Sequence, residues 1–113
     1  MIKRIAGAVE TRSRAVVHDG LVFTVATAGK KSPSLYEQTR ETLAAIDKNL
    51  ADAGSHKSRI LSATVYITDM AGKPEMNRAW DEWADRNSPP MRACVAVTLE
   101  GETLVEIVVT AVV

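Results

Sequence analysis

Cysteine occurs once in this 113-residue chain, at Cys94, so no intrachain disulfide can staple the fold. Aromatic residues are scarce at 4%, which leaves Val, Ala, Ile and Leu to build the core. Charge of one sign is also missing: Lys plus Arg balance Asp plus Glu at 14 each. A polyanion partner is therefore not expected, because phosphate backbones are gripped by an excess of positive charge. No run approaches the roughly 20 apolar residues of a membrane span. The N-terminal "MIKRIAGAVE" lacks the long apolar stretch of a signal peptide, so the chain reads as cytoplasmic. His18 and His56 have no cysteine at metal-ligand spacing, and no glycine-rich phosphate loop is present. No metal, cofactor, nucleic acid or membrane is expected.

The length suits one domain spanning residues 1–113, without repeats or linkers. "MIKRIAGAV" reads as a first strand. "AVVHDGLVFTVATAG" holds two more, joined at Asp19-Gly20, a dipeptide that accepts the positive φ angles of a tight hairpin. "KKSPSLYEQTRETLAAIDKNLADAGS" predicts a helix. Ser34 and Glu37 stand at capping-box spacing, and Tyr36, Thr39, Leu43, Ile46, Leu50 and Ala53 form its buried stripe. Gly54 follows as the left-handed terminator.

"SRILSATVYITDM" predicts a strand whose alternate residues Leu61, Ala63, Val65 and Ile67 face the helices. "GKPEMNRAWDEWADRNS" predicts a second helix, with Pro74 in its first turn, Met76, Trp80 and Trp83 on its apolar side, and Pro89-Pro90 as the stop. The order β–β–β–α–β–α–β–β implies an α+β fold of two layers, with both helices on one face of a mixed sheet. Nothing in the chain covers the other face, which must meet solvent or another subunit.

The tail "PPMRACVAVTLEGETLVEIVVTAVV" reads as two strands of a closing hairpin. Parity sends Ala93, Val95, Val97 and Leu99 under the helices together with Val105, Ile107, Val109 and Ala111. Arg92, Cys94 and Glu106 then share the uncovered face with Ala96, Val108 and Val112, a mixture suited to an oligomer interface. In such a hairpin Glu106 would lie opposite Ala96, roughly 13 Å along the backbone from Arg92, so that the two line one cleft from its ends.

These same residues resemble the RidA/YjgF/YER057c/UK114 family of reactive-intermediate deaminases. The tail is similar to that family's P-A-R-x-C-V run followed by V-E-I. "SRAVVHDGLVF" resembles its S-Q-A-V hairpin, and "EQTRETLAAIDKNLADAGSHKSRILSATVYITDM" its E-Q-T helix and T-V-Y-L-x-D-M strand. "MNRAWDEW" resembles the N-x-x-Y-x-x-F segment in the W-D-x-W form of short members, and the likeness spans about residues 12–113.

The resemblance implies a chorismate-mutase-like fold with a six-stranded sheet. It also implies a homotrimer around a central barrel with a cleft at each interface, and no cofactor. It implies hydrolysis of 2-imino acids and their enamine tautomers to 2-ketoacids and ammonia. By the same likeness Arg92 binds the substrate carboxylate, Cys94 lies beside it and helps hold the substrate, Glu106 holds the attacking water, and Asn77 is the asparagine of the second helix.

Two departures bear on the pocket. Arg12 stands where the family has a tyrosine, a second positive charge suited to a dicarboxylic or bulkier substrate. Val25, Ala26 and Thr27 replace an S-G-Q run. The alternative function is a trimer that binds small carboxylates or regulates a partner without turnover. A third, RNA cleavage, is a label borne by some family members and is disfavoured by the balanced charge.

Overall fold

The computed structural model describes all residues, Met1–Val113. Strands β1 (Lys3–Ala6), β2 (Ser13–His18) and β3 (Leu21–Thr27) precede helix α1 (Leu35–Asp52). Strand β4 (Ile60–Ile67), helix α2 (Lys73–Trp83) and strands β5 (Met91–Ala96) and β6 (Val105–Val112) complete the chain. The six strands form one sheet in the order β1-β2-β3-β6-β4-β5. Every pairing is antiparallel except β4 with β5, which are parallel and joined through α2. The expected α+β, two-layer architecture is therefore present. No helix is long and apolar enough to cross a membrane.

Local chemistry explains the elements. Asp19 and Gly20 both take positive φ, 55° and 77°, which closes β2 on β3 with the twist a hairpin needs. Ser34 caps α1 by accepting the Glu37 amide, 3.2 Å away. The reciprocal half of the capping box is not made: the Ser34 amide donates to Ser32 Oγ, and the Glu37 carboxylate turns to Arg40 at 3.7 Å. At the far end Gly54 has φ 84°, as a left-handed terminator requires.

The α1 stripe is buried at Thr39, Leu43, Ile46, Leu50 and Ala53, against Val22, Val65, Ile67, Val105, Ile107, Val109 and Ala111 of the sheet. Tyr36 departs from it. It lies in an outer groove between the helices, where its hydroxyl donates to Glu82 and the Arg78 guanidinium stacks 3.6 Å from its ring. The Glu82 carboxylate accepting that hydrogen bond holds the phenol above its ordinary pKa.

Three expectations are corrected. First, α2 ends at Trp83, short of the prolines, because Lys57 Nζ donates to the Trp83 carbonyl and Asp85 seizes the Asn87 amide in a turn. Second, β4 shifts register between Ile60 and Ser62. The irregularity buries Ile60 and leaves Leu61 51% exposed, while Ala63, Val65 and Ile67 face the helices as expected. Third, β5 and β6 do not form a hairpin. Strand β6 inserts between β3 and β4, and β5 lies beyond β4 at the sheet edge.

Candidate active site

That last correction reorganises the site. On β4, Ala63 and Val65 face the helices, and their neighbours across the parallel ladder are Arg92 and Cys94. Side chains at paired positions share a face. Arg92 and Cys94 therefore lie on the helix side, and Ala93 and the 39%-exposed Val95 lie on the open side, the reverse of the parity expected for a hairpin. Glu106 does fall on the open face. Its neighbours are Thr27 on β3 and Tyr66 on β4, not Ala96. Arg92 and Glu106 thus stand on opposite faces of one sheet.

The Arg92 half of the site is built by α2 and the edge strand. The guanidinium is half-buried; its Nη2 donates to Asn77 Oδ1 at 2.8 Å, and Nη1 lies 3.6 Å from Met76 Sδ. Its carbon stands 5.2 Å from the Trp80 ring centroid, within cation–π range. Met76, Asn77 and Trp80 recur at helical spacing, so one turn of α2 supplies a sulfur, an amide oxygen and an indole to the same side chain. Asn77 fixes the arginine rather than nearby backbone. The ion pairs of the chain are Arg14–Asp52, Arg40–Glu37, Lys48–Asp52 and Arg78–Glu75, so Arg92 has no carboxylate partner. An unpaired guanidinium with free donors, held by neutral groups, is a ready receptor for a carboxylate. Cys94 is a free thiol, half-buried against the core two residues further along.

The Glu106 half lies across the sheet. A cleft of about 420 Å³ is lined by Arg12, Val25, Thr27 and Glu106, with Gly7 and Val9 of the β1–β2 loop as its wall. Arg14 borders the cleft but its guanidinium is committed, to the Ala6 carbonyl at 3.0 Å, Asn49 Oδ1 at 2.8 Å and Asp52 Oδ2 at 2.6 Å. Asn49 in turn donates to Thr24 Oγ1 at 3.0 Å and the Val25 carbonyl at 3.3 Å. This polar network, buried at Asn49 and Thr24, clamps α1 to β2 and β3.

Of the five residues singled out from sequence, the structure groups Arg92, Asn77 and Cys94 on one side and Arg12 with Glu106 on the other. Sequence reasoning treated Trp80 only as core; its place three residues after Asn77, on the same helical side, was the available signal. Gly7 and Val9 carried no signal that they would wall a cleft.

Comparison with known proteins bears on the fold and the family. The family model described as Endoribonuclease L-PSP (Ribonuc_L-PSP) matches residues 2–113. A RutC family protein of Haemophilus ducreyi is 44% identical over 101 residues, covering 88% of this chain and 86% of that protein. The crystal structure of a YjgF family member from Neisseria meningitidis superposes with a TM-score of 0.94 at 38% identity, covering 99% of this chain and 94% of the other. A Rid family protein of unknown function from Yersinia pestis gives a TM-score of 0.89 at 27% identity, with coverage of 97% and 94%. With the strand order and helix layer shared along nearly its whole length, this chain belongs to the YjgF/RidA family, the Ribonuc_L-PSP family of the matching model.

Proposed function

We propose that this protein hydrolyses 2-imino acids and their enamine tautomers to 2-ketoacids and ammonia, in clefts formed between three copies of the chain. The observation that carries the reading is Arg92: a half-buried cation braced by Asn77 and Trp80 and left without a counter-ion. Its fork of donors suits the carboxylate that every 2-imino acid bears.

Glu106 supplies the second role. Its carboxylate accepts a proton from water as the water oxygen bonds to the imine carbon, and the C=N electron pair moves to nitrogen, which takes that proton from the Glu106 carboxyl. The tetrahedral carbinolamine then passes its hydroxyl proton by way of the Glu106 carboxylate to the amino nitrogen, and the C–N bond breaks, releasing ammonia and leaving the ketoacid carbonyl. An enamine enters by taking a proton at carbon and giving one up from nitrogen, which leaves the imine. Holding water and imine in contact supplies much of the acceleration, because the bimolecular encounter becomes intramolecular.

Arg92 and Glu106 lie on opposite faces of one sheet, so they meet only if different protomers supply them. The open face supports that assembly. Phe23, Val25, Val95 and Val108 are all exposed there by 39% or more, an apolar surface that a second copy would cover. Strand β5, the edge that carries Arg92, is free to approach a neighbour's cleft.

The test is ketoacid release from imines generated in place by an amino-acid oxidase. Arg92→Ala should lower kcat/KM by at least about 30-fold, equivalent to about 2 kcal/mol of lost transition-state binding. Wild-type protein no faster than buffer across several imines would reject hydrolysis. Ketoacid binding in a calorimeter without turnover would then favour the carboxylate-binding trimer.

A further inference from the structure

The cleft beside Glu106 holds a second cation that the hydrolysis does not use. Arg12 lines it together with Glu106, yet Arg12 enters none of the ion pairs of the chain and its side chain donates no hydrogen bond within the protein. Glu10, on the same turn, does not neutralise it. Arg14, the other guanidinium at this cleft, is tied to Asn49 and Asp52, so Arg12 is the cation left for a ligand.

Its backbone is fixed rather than loose. The Arg12 amide donates to the Val9 carbonyl at 3.2 Å, and the Arg12 carbonyl oxygen lies only 2.7 Å from where a Cβ on Gly7 would sit. Only glycine at position 7 lets the loop fold back this closely. A carboxylate and a guanidinium that line one cleft without pairing leave a gap for a ligand to bridge. Val9 and Val25 line the same cleft and suit a short carbon chain.

Resting on the hydrolytic reading above, we infer that Arg12 selects substrates with a second anionic group, so that the preferred substrates are the imines of dicarboxylic amino acids. One carboxylate binds Arg92, the reacting carbon faces Glu106, and the distal carboxylate reaches Arg12. An anionic tail beside Glu106 would otherwise be repelled; the guanidinium offsets that repulsion and supplies a bidentate partner.

The experiment compares kcat/KM for the imines of glutamate and aspartate with those of leucine and alanine, each generated by the matching oxidase. The wild-type protein should favour the dicarboxylic pair. Arg12→Gln should lower the dicarboxylic-to-monocarboxylic ratio by about 10- to 100-fold, as expected for loss of hydrogen bonds to a charged group. Arg12→Lys should restore part of that ratio by its charge. A wild-type ratio at or below one, or a ratio unmoved by Arg12→Gln, overturns the inference while leaving imine hydrolysis standing. If no imine is turned over at all, hydrolysis fails first. Calorimetric binding of 2-oxoglutarate against 2-oxobutyrate then decides the role of Arg12: tighter binding of the diacid that Arg12→Gln abolishes supports it, and equal binding overturns it.

Discussion

A residue's neighbours decide what its charge is for. Arg14 and Arg92 are both half-buried arginines, but Arg14 is spent on structure, with Asp52 and Asn49 filling its fork, and Arg92 is offered neutral partners only. Asp52 shows the structural use most clearly. Hydrogen bonds from Lys48 and then Arg14 hold its carboxyl below the ordinary carboxylate range. A depressed folded-state pKa stabilises the fold above the unfolded value of about 3.9, and that stabilisation is lost as pH falls through the folded value. The stability gap between wild type and Asp52→Asn, read from urea unfolding, should therefore be widest near neutrality and narrow below about pH 4. A gap constant with pH would show that charge has no part in it. The residues of the candidate site were legible in the sequence as a motif, and parity placed Glu106 on the correct face, but the sides of Arg92 and Cys94 were not legible. In "MRACVA" both alternate sets hold small or apolar residues, so periodicity alone could not tell which set faces the helices. The ladder with β4 decides it, and that pairing is a long-range fact.

Elements were the most readable level. The order of strands and helices, the turn at Asp19-Gly20 and the buried stripe of α1 all follow from local pattern and turn chemistry. The β5–β6 partnership did not, because the connection Val97–Leu104 resembles a hairpin turn in composition. In fact β4, α2 and β5 form a parallel crossover unit that occupies the far edge of β4, and β6 fills the gap between β3 and β4. A buried glutamine stabilises that arrangement. Gln38 of α1 is fully enclosed; its Nε2 donates to the carbonyls of Ser32 and Glu102, and its Oε1 accepts the Leu104 amide just before β6 begins. Polar residues in a helix interior usually read as surface, so its role was hidden in the sequence. Gln38→Met keeps similar bulk but orphans these backbone groups. It should destabilise the fold by at least about 2 kcal/mol in denaturant unfolding at fixed protein concentration. A loss no larger than that of an exposed glutamine would show that water replaces the contacts.

At the scale of the whole molecule, the two halves of the site face away from each other, and the uncovered sheet surface exposes Phe23, Val25, Val95 and Val108 to water beside the Glu106 cleft. The assembly proposed above, in which the edge strand β5 of one copy meets the Glu106 cleft of the next, would account for both features. A heterologous contact of this kind closes into a ring when the rotation permits. The decisive measurement is subunit complementation. Arg92→Ala and Glu106→Gln are purified separately, each strongly impaired on imines, then unfolded together, refolded at equal amounts and assayed. If each cleft takes Arg92 from one copy and Glu106 from its neighbour, about a quarter of the clefts in random mixed rings regain both residues, and about a quarter of wild-type activity returns. If the mixture forms rings and stays as impaired as its parents, Arg92 and Glu106 do not act together across a subunit boundary, and the site proposed for this protein is wrong.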